Sequence, residues 1–296
     1  MSDNHPELNS YSNKGISVVI SEGFHLFGRN YITLILPLCL FFITSLIIKN
    51  LLIVDLEWQV FTMILDGEIE LTVDYLILTL SIVFLNDFIP TIFNVVAMCF
   101  VSNYLYNKFI GNETKLIPEL KNALNGRILL VVLLLGVGSS VGSILFYIPS
   151  ILIFGSSVGP ILSYIPSIFI MGFYIFYIFT YHSDDSDHPI KEARGIAKGA
   201  FFKIIGVFIV NYLIILFGEF VYYLLFDDFL TQINSSSWYN PATRSYGRII
   251  LHEYLINIIQ LLITPLFICL LTSLFVSLKR RKAKLDFESK QNNRDI

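Results

Sequence analysis

Six long apolar runs constrain the fold of this 296-residue chain more than any other feature. A helix needs about 20 apolar residues to cross the hydrocarbon layer of a membrane. The runs cover residues 31–48, 88–105 within the longer stretch 76–105, 128–154, 161–181, 204–226 and 254–278. Hydrophobic residues make up 55% of the chain and charged residues 15%, which excludes a soluble globular enzyme, a disordered chain and a nucleic-acid binder. The sequence therefore predicts an all-α bundle of six transmembrane helices.

Residues 51–85 do not fit this simple pattern. Two half-length apolar pieces, residues 51–65 and 71–85, flank the acidic residues Asp66, Glu68 and Glu70. Each piece is too short or too polar to span a membrane alone. We interpret the region either as an interfacial helix or as an extension of the second transmembrane helix beyond the membrane.

Lysine and arginine fall almost entirely on one side of the predicted helices. Of the 20 such residues, 17 lie in the N-terminal segment, in the loops after the second and fourth helices, or in the C-terminal tail. Cytoplasmic segments of membrane proteins carry such an excess. We therefore expect a multi-pass protein of the cell membrane with both termini in the cytoplasm. Its expected parts are a cytoplasmic segment over residues 1–30, a transmembrane domain over 31–278 and a basic cytoplasmic tail over 279–296.

Three short amphipathic segments, at residues 22–29, 118–127 and 189–199, precede the first, third and fifth predicted helices. Acids or proline near their starts and glycine near their ends favour helix initiation and termination. The pattern predicts cytoplasmic elbow helices that lie at the membrane surface. Two explanations account for this pattern. Either the chain contains three repeats of one elbow-plus-hairpin unit, or any transmembrane hairpin requires such an elbow helix.

Three short motifs relate this chain to a known group. They are Glu119-Leu-Lys-Asn-Ala-Leu-Asn-Gly126, Ile165-Pro-Ser-Ile168 and Glu192-Ala-Arg-Gly-Ile-Ala-Lys-Gly199. Through them, residues 112–216 resemble the YciC-like proteins and the membrane domain attached to some glycerophosphodiester phosphodiesterases, with Ser167 in place of the group's glycine. The resemblance implies a six-helix architecture without an assigned activity. No catalytic domain accompanies these motifs, so the resemblance implies no phosphodiesterase chemistry.

Four polar residues within or beside the predicted spans form a candidate polar path: Asp87, Asn94, Glu219 and Gln260. Ionisable residues inside a membrane are costly and often mark a proton or substrate route. The alternative is that Asp87 and Glu219 lie at the outer interface and that the amides form hydrogen bonds between helices. We favour this alternative.

The basic tail provides candidate lipid-headgroup contacts at Lys279, Arg280, Arg281 and Lys282. A cationic cluster next to a membrane attracts anionic lipid by about 1 kcal/mol per charge. The same cluster would serve as a stop-transfer anchor. Neither interpretation requires a cofactor.

Metal and catalytic sites are not predicted. The His and Asp residues between positions 182 and 188 are consecutive rather than spaced for a metal cage, and all three cysteines lie in apolar runs. No acid, base and nucleophile cluster at one depth of the spans, so we expect no enzymatic activity.

The leading hypothesis is a membrane-embedded interaction or lipid-organising module. Its expected partners are the lipid bilayer and either another membrane protein or a second copy of the chain, but no nucleic acid. The alternative is a small transporter or channel subunit that uses polar residues of the second, fifth and sixth helices.

Overall fold

The computed structural model describes residues 15–65, 73–182, 188–235 and 246–292, and every regular element in these ranges is a helix. The all-α class predicted from the sequence is thereby confirmed. In chain order the helices are α1 (Ile16–Leu65), α2 (Val73–Phe109), α3 (Leu116–Ala123), α4 (Ile128–Val131), a π-helical stretch (Val132–Val137), α5 (Gly138–Leu162), α6 (Ile165–Tyr174), α7 (Tyr177–Thr180), α8 (Pro189–Ala197), α9 (Phe201–Ser235) and α10 (Tyr246–Asn292).

Five stretches in the described part of the chain are long and apolar enough to cross a membrane. They are Ile16–Ile53, Ile77–Phe109, Ile128–Tyr147, Phe201–Leu225 and Leu261–Leu285. The fourth predicted run, residues 161–181, corresponds to two short helices. Together, α6 and α7 form the shorter apolar stretch Ile165–Thr180. The chain is a multi-pass, all-α membrane protein.

A break inside α5 and a proline at the start of α6 precede this shorter stretch. Gly155 has a φ of 80°, a left-handed conformation that glycine adopts without steric cost. Pro166 lies in the first turn of α6, where its missing N–H needs no partner. A Cβ on Gly142 would lie only 3.1 Å from the Pro166 Cβ, so the small residue lets α5 and α6 approach closely.

Helix α1 corrects two expectations. It is one helix of 50 residues, about 75 Å long at 1.5 Å per residue, and therefore extends well beyond a hydrocarbon layer of about 30 Å. Residues 22–29 are its first part rather than a separate elbow, because no proline or turn interrupts the backbone hydrogen bonds between them and the span. Residues 51–65 also continue α1, so the expectation that they extend the second helix is wrong for this piece. The described part of the second piece, residues 73–85, does belong to α2, as one of the two interpretations expected.

The other two predicted elbows are separate helices. Helix α3 has Glu119 in its first turn, and the Arg127 N–H donates a hydrogen bond to Asn125 Oδ1 (3.0 Å) in the turn that follows. Helix α8 begins at Pro189 and is followed by Gly199, whose φ is 82°. Acid or proline at the start and glycine after the end therefore predict α3 and α8 correctly.

The centre of the bundle is the middle part of α10. All side chains from residue 265 to 276 are buried, and α10 packs mainly against α1 and α9. By contrast, α1 exposes Ile32 (84%) and Leu36 (77%) on one face while it buries Leu34 on the other. A helix that is apolar on its exposed face as well as its packed face is suited to lipid contact.

Candidate functional site

Cations that lie far apart in the sequence meet at one end of the bundle, which we call the basic end. Arg29 lies near the start of α1, Lys108 near the end of α2 and Arg280 in the last part of α10, yet all three line one cleft. The three residues belong to three different helices, so the fold and not the sequence brings them together. The one-sided charge pattern of the sequence therefore corresponds to one end of the bundle for these residues.

This cleft, which we call the interface cleft, has a volume of about 750 Å³. Helix α1 provides most of its wall through residues three or four positions apart, which share one helix face. The lining residues are Ser21, Glu22, His25, Leu26, Arg29, Asn30 and Thr33 of α1, Tyr104, Lys108 and Phe109 of α2, and Arg280 of α10. Three permanent cations thus face one carboxylate, and neutral hydrogen-bonding groups lie between them.

Hydrogen bonds hold the walls of the interface cleft together. The Tyr104 hydroxyl donates to Asn30 Oδ1 (3.3 Å), and Asn30 Nδ2 donates to the Leu26 carbonyl (2.9 Å). Ser273 Oγ donates to the Glu22 carboxylate (3.3 Å), which joins α1 to α10. The Lys108 ammonium lies 5.9 Å from the centre of the Tyr104 ring, within the range of a cation–π contact. The cleft is therefore preformed by contacts among its own lining residues and their neighbours.

A smaller crevice of about 160 Å³ lies beside α8 and is also basic. Lys198, Arg281 and Lys282 are among its lining residues. Lys282 Nζ lies 3.3 Å from the position a Cβ would take on Gly195. The tail of α10 thus contacts the elbow helix α8 through its cationic side chains.

The four predicted headgroup contacts of the tail are divided among different surroundings. Arg280 lines the interface cleft, whereas Arg281 and Lys282 line the smaller crevice. Lys279 Nζ lies 5.2 Å from the centre of the Tyr106 ring and 5.8 Å from that of Phe275. Because its charge rests on these aromatic rings, Lys279 has a packing role that the sequence pattern did not indicate.

Glu119 fastens the elbow helix α3 to the end of α2. Its carboxylate accepts hydrogen bonds from Asn103 Nδ2, from Asn107 Nδ2 (3.1 Å) and from Thr114 Oγ1 (2.7 Å). Asn103 and Asn107 are four residues apart and share one face of α2. From the sequence, Glu119 was expected only near a helix start. The Asn-x-x-x-Asn spacing before it was the signal for these hydrogen bonds between α2 and α3.

A second polar cluster joins α2 to the end of α7. Ser102 Oγ donates to the Ile178 carbonyl (2.6 Å), and Tyr181 Oη lies 3.2 Å from the Cys99 carbonyl and 3.3 Å from the Ala123 carbonyl. His182 Nε2 lies 3.4 Å from both the Cys99 carbonyl and Ser102 Oγ. Because a carbonyl only accepts hydrogen bonds, Nε2 must carry the proton in this arrangement.

The protonation of His182 decides what this cluster can do chemically. Burial lowers the pKa of His182 to about 4, against the opposing effects of the Cys99 carbonyl and the Glu119 carboxylate. The imidazole is therefore neutral at pH 7, with its Nε2 proton directed at acceptors. Ser102 in turn directs its own proton at the Ile178 carbonyl, so His182 is not placed to remove it, as a serine nucleophile would require.

The predicted polar path is described only in part. Asn94 and Glu219 are half-buried, and Glu219 interacts with another group. The side chains of Asp87 and Gln260 lie outside the described residues, as do Asp184, Asp185 and Asp187 of the acidic loop. The path therefore stays a prediction. Across the described ranges, no group of three or more His, Cys, Asp or Glu side chains is placed to hold a metal ion.

Lys49 is a buried cation just beyond the first predicted run, residues 31–48. It lies in α1 within the apolar stretch Ile16–Ile53, is 8% exposed, and interacts with another group. The signal for its burial was the apolar sequence on both sides of it, which continues the helix through residue 49. Charged residues inside a span often have a specific function, so Lys49 is a further candidate for a functional residue.

Comparison with known proteins gives no match, whether with family models, curated proteins or solved structures. The resemblance to the YciC-like group therefore stays a prediction. The function has to be inferred from the residues themselves.

Proposed function

We propose that this chain is a membrane-embedded module without enzymatic activity that organises anionic lipid at its basic end. The observation that carries the proposal is the interface cleft, where Arg29, Lys108 and Arg280 come together from three different helices. In this proposal the protein lies in the cell membrane, and its basic end and both termini are on the cytoplasmic side. The leaflet on that side is anionic.

The chemistry of the basic end supports this assignment. Each cation near an anionic leaflet contributes about 1 kcal/mol of attraction, and the effect is largest within a Debye length of the surface. Cations from α1, α2, α10 and the segment between α8 and α9 line the interface cleft and the smaller crevice. In this proposal both cavities lie at the depth of the phospholipid headgroups.

The absence of enzymatic activity is supported by the one described arrangement that resembles a catalytic pair. Ser102 and His182 are close, but both direct their protons at backbone carbonyls. The Ser102 hydroxyl therefore has no base to activate it, and the cluster serves to join helices.

The proposal is tested by reconstituting the purified chain in nanodiscs that contain phosphatidylcholine and phosphatidylglycerol in a known ratio. Gentle extraction followed by native mass spectrometry then measures which lipid remains bound. We expect phosphatidylglycerol to be enriched over its share in the nanodisc, and enrichment to decline at high salt because the attraction is electrostatic. Equal retention of the two lipids would contradict the proposal.

A second experiment addresses the other partners. Affinity purification from native membranes with mass spectrometry of everything that co-elutes would detect a stoichiometric membrane-protein partner, which would favour the interaction-module form of the hypothesis. Solute flux in proteoliposomes, abolished by Asp87→Asn or Glu219→Gln, would favour the transporter or channel alternative instead.

A further inference from the structure

We infer that the interface cleft is a specific binding site for a phosphate-bearing headgroup of an anionic lipid. This inference rests on the proposed function and goes beyond it, because it assigns the lipid to one cavity rather than to a diffuse cationic surface. The size of the cleft, its charge and its depth in the bundle each support the assignment.

The size of the interface cleft suits one headgroup. Its volume of about 750 Å³ lies within the range of about 300–1,000 Å³ that is typical of small-molecule sites. The walls come from α1, α2 and α10, so the cavity is a feature of the folded bundle and not of the tail alone.

The charge of the cleft suits phosphate. The guanidinium groups of Arg29 and Arg280 line the cleft together with the Lys108 ammonium, and Arg280 also interacts with another group. Guanidinium groups bind phosphate oxygens through paired hydrogen bonds, and an ammonium adds a point charge. Glu22 is the one carboxylate in the lining, and it accepts a hydrogen bond from Ser273. The cations therefore outnumber the acid, and a group with one or two negative charges would balance them.

The polar and apolar parts of the lining are ordered as a lipid requires. Ser21 and Thr33 offer hydroxyl groups for a glycerol or sugar alcohol, while Leu26 and Phe109 offer apolar surface for the start of an acyl chain. Lys108 and Phe109 are the last two residues of the apolar stretch Ile77–Phe109, so this wall of the cleft lies at one end of that stretch. A soluble phosphate compound would use the charges but not this apolar surface.

The test compares phosphatidylglycerol binding by two double variants that each remove two positive charges from the basic end. Arg29→Gln with Lys108→Gln changes the interface cleft, whereas Lys121→Gln with Lys191→Gln changes exposed cations on α3 and α8 that do not line it. Native mass spectrometry of the full chain measures the phosphatidylglycerol that remains bound. We expect at least about a tenfold loss of affinity in the cleft variant and less than about a twofold loss in the matched control.

A further variant keeps the test valid if the cleft variant does not fold. Thr33→Asp leaves every cation in place and adds a carboxylate to the cleft, so it should also weaken binding. Unchanged phosphatidylglycerol binding in a folded Thr33→Asp chain would overturn the site. Equal losses in both double variants would also overturn it while leaving the proposed function intact, because binding would then depend on total charge.

The source of the phosphate group is distinguished by competition. Glycerol 1-phosphate, which has no acyl chain, should displace phosphatidylglycerol only at far higher concentration than the lipid itself. Displacement at comparable concentration would overturn the lipid assignment in favour of a soluble ligand, and displacement by an acidic peptide alone would favour a protein partner. No preference of the wild-type chain for phosphatidylglycerol over phosphatidylcholine would overturn the proposed function together with this site.

Discussion

At the scale of single residues, His182 shows how burial sets the charge of a group that lies just outside a span. The imidazole donates toward the Cys99 carbonyl and is neutral, because burial lowers its pKa to about 4 from a usual value of 6.5. In the unfolded chain the same ring takes up a proton near pH 6.5. Between these two pH values the unfolded state binds more protons, so the free energy of unfolding decreases as the pH falls.

This difference predicts a pH dependence of stability that belongs to His182. His182→Gln keeps an N–H donor and removes the titration, so its melting temperature in non-ionic detergent should fall less than that of the wild type between pH 7 and pH 5. His188→Gln is the matched control, because it makes the same substitution at an exposed histidine. Parallel curves for the wild type and His182→Gln would contradict the prediction.

Residue chemistry could be predicted from the sequence only where neighbours in the chain decide it. The tail cations Lys279 and Arg280 were recognised as a group, but the structure places one on aromatic rings and the other in a cleft. Arg29 and Lys108 entered the sequence analysis only as markers of topology. Their meeting depends on how α1 and α2 are rotated against each other, and a single sequence gives no direct signal for that rotation.

At the scale of helices, the closest approach of α1 and α10 depends on one glycine. A Cβ on Gly23 would lie 2.9 Å from the Leu270 Cα and 2.7 Å from its Cδ2, so an added methyl group meets backbone. Gly28 lies in the same helix with nothing within 4 Å of its Cβ position. Alanine at position 23 therefore tests the packing of α1 on α10, whereas alanine at position 28 tests helix propensity alone.

We expect Gly23→Ala to lower stability by about 1–3 kcal/mol, because the backbone of Leu270 cannot move away cheaply. Gly28→Ala should instead raise it by about 0.5–1 kcal/mol, since alanine is the better helix former. Reversible unfolding of the two variants in mixed micelles measures both changes. A destabilised Gly28→Ala or a neutral Gly23→Ala would show that the packing of α1 on α10 is not as described.

Helix boundaries were predictable where the sequence contains a strong breaker and not elsewhere. Pro189 begins α8 and Gly199 follows its end, as expected, and Glu119 lies in the first turn of α3. The acids and polar residues of α1 suggested boundaries near residues 30 and 50, but none of them interrupts a helix by itself. Backbone hydrogen bonding continued through them, and the helix extends to Leu65.

At the scale of the whole molecule, the basic end predicts the orientation of the chain in the membrane. Arg29, Lys108 and Arg280, which the sequence predicts to lie on one side of the membrane, share one cleft in the described part of the bundle. The positive-inside tendency then predicts that the basic end faces the cytoplasm.

This orientation predicts which positions a membrane-impermeant maleimide can reach in intact cells. In a background in which Cys39, Cys99 and Cys269 are replaced by serine, Ser17→Cys and Ala283→Cys should be labelled only after the membrane is permeabilised. Both positions are exposed at the basic end, whereas Ser237→Cys should be labelled without permeabilisation. Labelling of position 17 or 283 in intact cells would show the opposite orientation.

The central position of α10 has a consequence for how the protein is made. The segment that the other helices enclose, residues 265–276, is synthesised after α1 to α9. Until it leaves the ribosome, the faces of α1, α2 and α9 that it covers have only lipid or one another to contact. Assembly must therefore leave a place open in the middle of the bundle. A nascent chain interrupted before α10 would present an unfilled groove to the quality-control machinery of the membrane.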